Sequence, residues 1–411
     1  MNFTQFSLHQ GIDSAIQEAG YTTPTPIQHQ AIPEILRGSD IRASAQTGTG
    51  KTAAFSLPTL HRLMTNSATQ NCRGPRVLIL TPTRELAMQV AAEAAKYAKF
   101  LPRMKTVCIY GGVPYPVQNR DLSRPYEILV ATPGRLIDFM TRGKINLSRV
   151  EMLILDEADR MLDMGFIEPV EQIAAATPKN RQTLMFSATL KGPVLKLSQR
   201  LLTNPIEITI EPEKATISNI EQRFHFVDSL THKQDLLEHL LTDATMNQAI
   251  IFIATKRHAD ELVDKLCEIG HNAAALHGDM NQKQRSRTIR RLRHGEIRIL
   301  VATDVAARGI DVQTISHVIN FDLPMCAEDY VHRIGRTGRA GASGVALSLV
   351  SNRDRKLLKQ IEQFTKQKIT THVVPGMEPK KSFSESKPRP PSRNSMHHRR
   401  RHTPYRSRTP K

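Results

Sequence analysis

The stretch Ala45-Gln46-Thr47-Gly48-Thr49-Gly50-Lys51-Thr52 has the composition of a loop that binds a nucleoside triphosphate. It follows a strand-like run over residues 41–45 and precedes a helical pattern over 52–63 that only Pro58 interrupts. A turn of small residues into a helix directs backbone N–H groups and the helix dipole at one point, which stabilises phosphate oxygens. We expect Lys51 to reach the terminal phosphates and the Thr52 hydroxyl to ligate Mg²⁺. Because Ala45 replaces the first glycine of the strict motif, the loop alone predicts nucleotide binding and no particular reaction.

Length and charge set the frame for this loop. The chain has 411 residues, 39% of them hydrophobic, which is enough for two or three domains with real cores. Its formal net charge is +18, and residues 380–411 hold eleven Lys or Arg against the single Glu385, which leaves +8 for the rest. A basic excess in both parts favours a polyanionic partner, with nucleic acid ahead of a membrane surface, although solubility alone would also account for such an excess.

The cysteines and the N-terminus exclude several classes. Cys72, Cys108, Cys267 and Cys326 are far apart and form no metal-ligand spacing, so neither a zinc site nor a disulfide framework is indicated. The N-terminus lacks the features of a signal peptide, and no run of about 18 apolar residues occurs. We therefore expect a soluble, cytoplasmic protein that does not contact a membrane, and separately we expect a monomer.

A proline-rigidified segment upstream of the loop contains Gln28 at the start of a helical pattern. A glutamine amide donates and accepts at once, so Gln28 can read the edge of adenine, with Phe3 and Tyr21 on either side of the ring. A glutamine at a helix N-terminus is more commonly a capping or solvated residue, and that alternative stays open.

After the loop, apolar runs of strand length alternate with helical patterns, which predicts a parallel sheet covered by helices on both faces. Ligands bind beyond the carboxyl ends of such strands. Asp156 and Glu157 directly follow one of these runs, so we expect Asp156 to hold Mg²⁺ through water and Glu157 to activate an attacking water. Acids at such junctions also act as helix N-caps.

A second α/β pattern of similar size follows a polar stretch, and it has no phosphate loop of its own. We predict a first domain over 1–207, a linker over 208–220, a second domain over 221–370 and a disordered basic tail over 371–411. Arg336 and Arg339 of the second domain are spaced so that both guanidinium groups can reach a nucleotide held by the first, or else contact nucleic acid or solvent. The tail has too few apolar residues to offset its ordering entropy, and its Arg399-Arg400-Arg401 run suits a flexible arm on phosphates or a nuclear signal.

These blocks together make the chain resemble the DEAD-box ATP-dependent RNA helicases, most closely the bacterial RhlE-type group. The resemblance covers residues 3 to about 365 and rests on ordered motifs: GYTTPTPIQ (20–28), AQTGTGKT (45–52), PTRELA (82–87), GG (111–112), TPGR (132–135), DEAD (156–159), SAT (187–189), HGDMNQKQR (277–285), ATDVAARGID (302–311) and HRIGRTGR (332–339). Leu190-Lys191 after SAT and Leu292 depart from the usual pattern and bear only on the subgroup.

The resemblance implies a fold and a set of roles. It implies two tandem RecA-like α/β domains, ATP and Mg²⁺ as cofactors, and RNA held by its backbone with little sequence preference. Asp304 would contact the ribose, Arg336 and Arg339 would act as arginine fingers, and coupling would run through Asp159, Ser187, Thr189 and His332. The implied RNA contacts are Arg84, Gly112, Thr132, Arg135, Gln282, Arg285 and Thr303. For Arg84, a plain salt bridge at a helix start is the alternative.

The expected activity is RNA-stimulated ATP hydrolysis coupled to domain closure, with local, non-processive unwinding of RNA duplexes or remodelling of ribonucleoproteins. Two rivals stay open at this point: an ATP-dependent RNA clamp or scaffold, and a DNA helicase or translocase. Ribonucleoprotein or RNA-decay components are candidate partners, and the sequence does not identify the physiological RNA.

Overall fold

A computed structural model describes residues 2–45, 48–66, 73–190, 192–210, 219–307, 312, 314–338 and 342–380. The predicted site residues Gln46, Thr47 and Arg339 lie outside the described residues, as does most of the predicted tail. No helix in the described ranges is long and apolar enough to cross a membrane.

Two parallel sheets organise the chain. Among the described residues, the first sheet, in unit 1, has seven strands in the order β3-β4-β2-β5-β6-β1-β7, and the second, in unit 2, has six in the order β10-β11-β9-β12-β13-β8. The strands are β1 Ile41–Ser44, β2 Val77–Leu80, β3 Thr106–Ile109, β4 Ile128–Ala131, β5 Met152–Leu155, β6 Gln182–Ser187, β7 Ile206–Thr209, β8 Ile220–Phe226, β9 Ala249–Phe252, β10 Ala273–Leu276, β11 Ile299–Ala302, β12 His317–Asn320 and β13 Gly344–Val350. Two α/β units, each with a parallel sheet, confirm the predicted fold class.

Helices connect the strands and cover the sheets. In unit 1 they are α1 Gln10–Glu18, α2 Pro26–Arg37, α3 Lys51–Thr65, α4 Arg84–Tyr97, α5 Tyr115–Leu122, α6 Pro133–Thr141, α7 Ala158–Asp163, α8 Ile167–Ala175 and α9 Pro193–Leu201. In unit 2 they are α10 Leu230–Leu240, α11 Lys256–Glu268, α12 Gln282–Arg293, α13 Asp304–Ala307, α14 Ala327–Ile334 and α15 Arg355–Thr365. Short 3₁₀ helices span Phe3–Phe6 and Asn352–Asp354.

Alternation along the central strands explains why both faces of each sheet are covered. Along β2, Val77 and Ile79 pack into one hydrophobic cluster, whereas Leu78 and Leu80 pack into another on the opposite face. All four residues are at most 1% exposed. A strand buried on both sides is a continuous apolar run, which is why the sequence predicted these strands.

The predicted linker differs from the structure at both ends. β7 pairs with β1, with Ile41 opposite Ile206, so the chain stays in the first sheet to Thr209. β8 begins at Ile220. The sequence did not indicate β7 because this short edge strand follows Pro205 and has three exposed positions, so it lacks an apolar run. It forms because its backbone pairs with β1.

The predicted start of disorder at residue 371 is wrong for residues 371–380, which dock on unit 2. His372 N–H donates to Phe224 O at 2.8 Å, and Lys380 N–H donates to Asp228 Oδ2 at 2.7 Å. Val374 and Met377 pack against a hydrophobic cluster of unit 2. The edge strand β8 has backbone groups that can pair with the segment, and the neighbouring hydrophobic cluster accommodates Val374 and Met377. These contacts order residues 371–380 although most of the segment is polar.

Candidate nucleotide and nucleic-acid sites

The described residues of the phosphate loop, Ala45 and Gly48 to Gly50, lie between the carboxyl end of β1 and the start of α3, as the sequence predicts. Gly48 and Gly50 have φ values of 86° and 89°, which favour glycine. A Cβ on Gly50 would lie 2.4 Å from Gln28 Nε2, so a larger residue cannot stand there without moving Gln28. Thr49 and Thr52 are partly exposed beside these glycines.

Gln28 links the upstream segment to this loop. Its Nε2 donates to Gly50 O at 3.2 Å, and its Oε1 accepts from Thr25 N–H at 3.0 Å, as part of a capping box at the start of α2. Gln28 is 5% exposed. The structure therefore shows the capping contact that the sequence left open, and it places the amide directly against the phosphate loop.

The two predicted aromatic partners of Gln28 have different surroundings. Phe3 is 5% exposed and packs edge-on against Phe6, with ring centroids 6.1 Å apart. Tyr21 is 36% exposed, its hydroxyl lies 3.4 Å from that of Tyr97, and Lys96 stands over its ring. Phe3 belongs to the hydrophobic core of unit 1, whereas Tyr21 lies at its surface.

The two acids that follow β5, Asp156 and Glu157, belong to the candidate nucleotide cleft. Asp156 is 2% exposed, and burial raises its pKa to about 6, while the nearby Lys51 opposes that shift. Its Oδ1 has no hydrogen-bond partner among the described residues. Glu157 is 8% exposed and adopts a left-handed backbone (φ 53°) at the start of α7. Lys51 is 7% exposed, and its Nζ donates to Ala45 O at 2.9 Å.

These residues fit a magnesium nucleotide. A buried carboxylate oxygen without a partner is a hard oxygen ligand of the kind Mg²⁺ prefers, and the Thr52 hydroxyl, in the first turn of α3, is a second oxygen of that kind. Charge on Asp156 is unfavourable in its buried setting, so a cation beside it would restore the ionised form.

The predicted coupling residues meet just beyond the acids. Asp159 Oδ2 accepts from Ala188 N–H at 3.0 Å, which ties α7 to the segment after β6. Ser187 Oγ donates to Thr189 O at 2.6 Å, and Thr189 N–H donates back to Ser187 Oγ at 3.3 Å. The acid cluster and the Ser-Ala-Thr turn are therefore one hydrogen-bonded assembly.

Unit 2 reaches this assembly through α14. Arg160, the residue after Asp159, donates to Asp329 Oδ1 of unit 2 at 2.8 Å. His332 Nδ1 lies 4.0 Å from the same carboxylate oxygen. Burial lowers the pKa of His332, with Asp329 opposing the shift and Arg160 adding to it. Arg336 is 7% exposed and lines a small cavity between the units together with Arg160 and His332.

Asp304 is held by a side chain that sequence reasoning did not single out. Arg333 donates to both carboxylate oxygens of Asp304, at 2.6 and 2.7 Å, and its guanidinium lies 4.8 Å from the ring centroid of Phe252. Arg333 is 3% exposed, while the side chain of Asp304 keeps 30% of its surface in solvent. The bidentate pair therefore fixes Asp304 in the lining of the small cavity that also contains Arg336.

A second interface site, the outer groove, lies between the units and is lined by side chains from both of them. Its lining includes Arg84, Thr132 and Arg135 of unit 1 and Arg285 of unit 2. Four predicted nucleic-acid residues therefore share one groove. The three others lie close by: Gln282 accepts from Arg84 at 3.4 Å, Gly112 lies against the Arg84 guanidinium, and Thr303 begins the turn into α13.

Close packing around Arg84 explains the glycine pair beside it. A Cβ on Gly112 would lie 2.3 Å from Arg84 Nη1, and a Cβ on Gly111 would lie 3.3 Å from Nη2. Gly112 also has a φ of 86°. Larger residues here would displace the guanidinium from the groove.

Arg135 is oriented by residues that sequence reasoning missed. Its Nη1 donates to Val113 O at 3.0 Å and to Gln118 Oε1 at 3.1 Å. Its guanidinium lies 4.5 Å from the ring centroid of Tyr115, and Arg142 lies 4.1 Å from the same ring. Tyr115 therefore holds two cations at the groove by cation–π contact.

Arg285 joins the two units across the groove. Its Nε donates to Glu85 Oε1 at 2.8 Å, and its remaining nitrogens reach His277 O and Ala306 O. The two paired side chains are only 9% and 7% exposed. Glu85 stands in the PTRELA block beside Arg84, but nothing in a single sequence shows that it pairs with a residue 200 positions away.

Known proteins resemble the whole arrangement. A family model described as DEAD/DEAH box helicase matches residues 25–197, and one described as helicase conserved C-terminal domain matches residues 232–341. The chain is 46% identical over 376 residues to the ATP-dependent RNA helicase DeaD of Mycobacterium tuberculosis, covering 92% of this chain and 65% of that protein. It is 44% identical over 379 residues to the ATP-dependent RNA helicase SrmB of Escherichia coli, covering 92% of this chain and 85% of that one.

Solved structures show the same architecture. Dbp5 of Saccharomyces cerevisiae bound to RNA and ADP BeF3 superimposes with a TM-score of 0.80 at 32% identity, over 90% of this chain and 95% of that one. The chain spans 65% of the length of the DeaD relative. The similarity therefore establishes the family and the fold, and the activity requires a separate argument.

Proposed function

The chain belongs to the DEAD-box helicase family, and we propose that it is an RNA-dependent ATPase that separates short RNA duplexes or remodels ribonucleoproteins. One observation carries the proposal: the two units meet at both candidate sites. Arg160 contacts Asp329 beside the nucleotide cleft, and Glu85 contacts Arg285 in the outer groove, each at 2.8 Å. Ligands at the two sites therefore stabilise the same closed arrangement, which is the requirement for coupling.

The nucleotide cleft supplies groups for phosphate binding and for hydrolysis. Lys51 and the backbone N–H groups of its loop would hold the phosphates, and Thr52 and Asp156 would hold Mg²⁺. The metal would neutralise negative charge on the phosphate oxygens. Glu157, fixed by its left-handed backbone beside Asp156, would accept a proton from the attacking water.

Unit 2 completes the cleft. Arg336 lines the same space as Arg160 and His332, so closure brings a buried guanidinium toward charge that develops on the transferred phosphoryl group. We assign the same role to Arg339, by its spacing from Arg336. Arg333 positions Asp304 for the ribose through its bidentate pair.

The outer groove supplies groups for RNA. Arg84 and Arg135 present guanidinium groups, and Thr132 lies at the N-terminus of α6. Guanidinium groups and helix N-termini bind phosphates without reading base edges, so binding would be insensitive to sequence. A strand clamped by both units must follow the shape of the groove, which opposes pairing with its complement.

Hydrolysis and unwinding are measured on the same preparation. We expect saturating RNA to raise the ATPase rate at least tenfold, and matched DNA to raise it far less, because a contact to a 2′-hydroxyl would distinguish the two. A short RNA duplex should separate only when ATP is present. Equal stimulation by DNA would favour a DNA translocase, and RNA binding that depends on ATP without any turnover would favour a clamp.

The remaining assignments are narrower proposals. We infer that the chain acts as a cytoplasmic monomer and belongs to the RhlE-type group, with ribonucleoprotein or RNA-decay components as partners, on the basis of its motifs and basic charge. Light scattering of the purified chain checks its oligomeric state, and crosslinking in cells followed by sequencing of the attached RNA identifies its targets.

A further inference from the structure

Helix α12 of unit 2 carries many more cations than the single one, Arg285, that lines the outer groove. Its 12 residues, QKQRSRTIRRLR, include six Lys or Arg and neither Asp nor Glu. Arg285, Thr288 and Leu292 are buried and define the side that faces the rest of unit 2. With 3.6 residues per turn, that side accounts for only one of the six cations, Arg285.

Four residues form a line along the opposite side of the helix. Lys283, Arg287, Arg290 and the C-cap residue His294 follow one another at intervals of three or four positions, and all four are exposed. Neighbours at this spacing lie about 5–6 Å apart between Cβ atoms. We call these four residues the basic stripe.

The cations of the basic stripe are not neutralised locally. Lys283, Arg287 and Arg290 form no ion pair with any residue in the described part of the chain, whereas Arg291, just beside them, pairs with Glu296 at 3.2 Å. Where surface charges serve only solubility, cations and acids are usually interspersed. A row of three uncompensated cations instead attracts a polyanion.

The position of α12 connects the basic stripe to the outer groove. The helix begins at Gln282, which contacts Arg84, and its first turns carry Arg285, which contacts Glu85. From there it runs about 18 Å along the outside of unit 2. One flank of the helix lines a shallow pocket with Asp260 and Asp279, which pair with His277 and Lys256, so that flank presents no row of unpaired cations. An anionic chain that leaves the groove at Gln282 is therefore directed along the stripe.

We propose that the basic stripe binds the phosphates of an RNA segment that flanks the strand held in the outer groove. This inference rests on the proposed function and extends it, because it assigns a second contact surface for the same RNA. Exposed Lys and Arg side chains act on phosphates without base readout, so the stripe adds affinity and no sequence preference. It favours substrates with flanking RNA over isolated short strands.

The test uses the full chain and a matched pair of triple variants. One variant carries Lys283→Gln, Arg287→Gln and Arg290→Gln. The control carries Arg353→Gln, Lys356→Gln and Lys359→Gln, which removes the same charge from exposed positions of the 3₁₀ helix Asn352–Asp354 and of α15 in the same unit. Each chain is titrated with a short single-stranded RNA that fills only the groove and with the same RNA extended at both ends.

We expect the stripe variant to bind the extended RNA about tenfold more weakly at low salt, with a salt slope smaller by about two, because each lost phosphate contact removes about 0.7 from the slope. Its affinity for the short RNA and its maximal RNA-stimulated ATPase rate should match those of the unmodified chain. The control should bind both RNAs as the unmodified chain does.

Two results overturn the proposal in distinguishable ways. Equal losses of extended-RNA affinity in the stripe and control variants, or no loss in either, would overturn the stripe alone, provided that RNA still stimulates the ATPase of the unmodified chain. If RNA does not stimulate that ATPase, the proposed function itself fails and the stripe proposal fails with it.

Discussion

The nucleotide cleft and the outer groove both lie where the two units meet, yet their charged groups are satisfied in opposite ways. In the cleft, Asp156 is 2% exposed with one carboxylate oxygen unpartnered among the described residues. In the groove, Glu85 and Arg285 are buried and bonded to each other at 2.8 Å. The acids of the cleft therefore form an incomplete site that a cation and phosphates would complete, whereas the buried charges of the groove are already paired. Both sites also carry a contact between the units, Arg160–Asp329 and Glu85–Arg285.

This difference assigns separate tasks to the two sites. Burying a charge without a partner costs free energy, so a cation bound in the cleft would offset the desolvation of Asp156 in the ligand-free protein. In a buried ion pair between units the attraction offsets the desolvation of both charges, and removing one partner leaves the other charge buried and unpaired, which is strongly destabilising. We infer that the cleft holds the chemistry and that the groove controls how readily the units close.

The largest expected effect comes from a substitution that prevents ATP hydrolysis and leaves closure of the two units intact. Glu157→Gln should lower the RNA-stimulated ATPase rate by about 10²–10⁴, because general-base catalysis contributes on that order. Binding of a fluorescent ATP analogue and ATP-dependent RNA binding should persist. Glu168→Gln, an exposed acid at the start of α8, is the control and should hydrolyse ATP normally. A Glu157→Gln chain that turns over at the ordinary rate would rule out this base.

The second change breaks the groove contact and spares the cleft. Glu85→Gln leaves Arg285 buried without its charged partner, which typically costs about 3–5 kcal/mol when a pair is fully buried. Part of that cost falls on closure, so RNA affinity in the presence of an ATP analogue should weaken by at least about tenfold. By linkage, ATP affinity should weaken as well, because ATP stabilises the same closed arrangement.

A matched control separates this effect from general destabilisation. Glu127→Gln breaks the Glu127–Arg149 ion pair, also 2.8 Å long, which lies wholly within unit 1. It should leave the effect of the ATP analogue on RNA binding intact. Equal losses in the two variants would show that the Glu85 contact has no special role in closure.

The third change acts on RNA affinity from outside both sites. Removing residues 381–411 deletes ten Lys or Arg and Glu385 and keeps the docked segment that ends at Lys380. RNA affinity at low salt should fall about tenfold and the salt slope should flatten, since fewer counterions are released. The maximal ATPase rate should be unchanged, and an unchanged salt slope would exclude a role for the tail in RNA binding.

The fourth change tests how the groove orients its cations. Tyr115→Leu removes the ring shared by Arg135 and Arg142 and should weaken RNA binding several-fold, because each exposed cation–π contact contributes about 0.5–1 kcal/mol. Tyr115→Phe keeps the ring and should bind nearly as the unmodified chain does. If Phe and Leu weaken binding equally, the hydroxyl contact to Asp138 matters more than the ring.

The smallest expected effect distinguishes the two sites by pH. Burial lowers the pKa of His332 from its ordinary value of 6.5, with Asp329 opposing, Arg160 adding, and Asp159 and Glu157 opposing. A depressed pKa means that neutral His332 stabilises the closed arrangement above pH 6.5 and that this contribution is lost as pH falls.

The measurement is the factor by which an ATP analogue tightens RNA binding, taken at pH 7.5 and at progressively lower pH. It should shrink about two- to threefold on acidification, because protonation of His332 opposes the closed arrangement. His332→Gln should flatten this dependence. A pH dependence that survives in His332→Gln would assign it to another group.

The nucleotide cleft was largely predictable because its residues lie in short contiguous motifs. Lys51 and Thr52 follow directly from the phosphate loop, and Asp156 and Glu157 from the end of an apolar strand. The exact partners were not predictable: the structure adds Gly50 as the contact of Gln28 and Arg333 as the contact of Asp304.

The contacts between units could not be read from one sequence. Glu85 and Arg285 stand 200 positions apart, and Arg160 and Asp329 stand 169 apart, so their pairing depends on how two sheets meet. Local patterns also failed where an edge overrides composition. β7 and residues 371–380 are held by unpaired backbone groups of a neighbouring strand, and their own sequences are too polar or too short to indicate it.

Reciprocal coupling between the two sites is the central claim, and one thermodynamic cycle tests it directly. RNA affinity is measured with and without a non-hydrolysable ATP analogue, and analogue affinity is measured with and without RNA, on the unmodified chain. We expect each ligand to tighten the other by the same factor, at least about tenfold, because linkage requires equal coupling in both directions. Affinities that are independent of the other ligand would contradict the account.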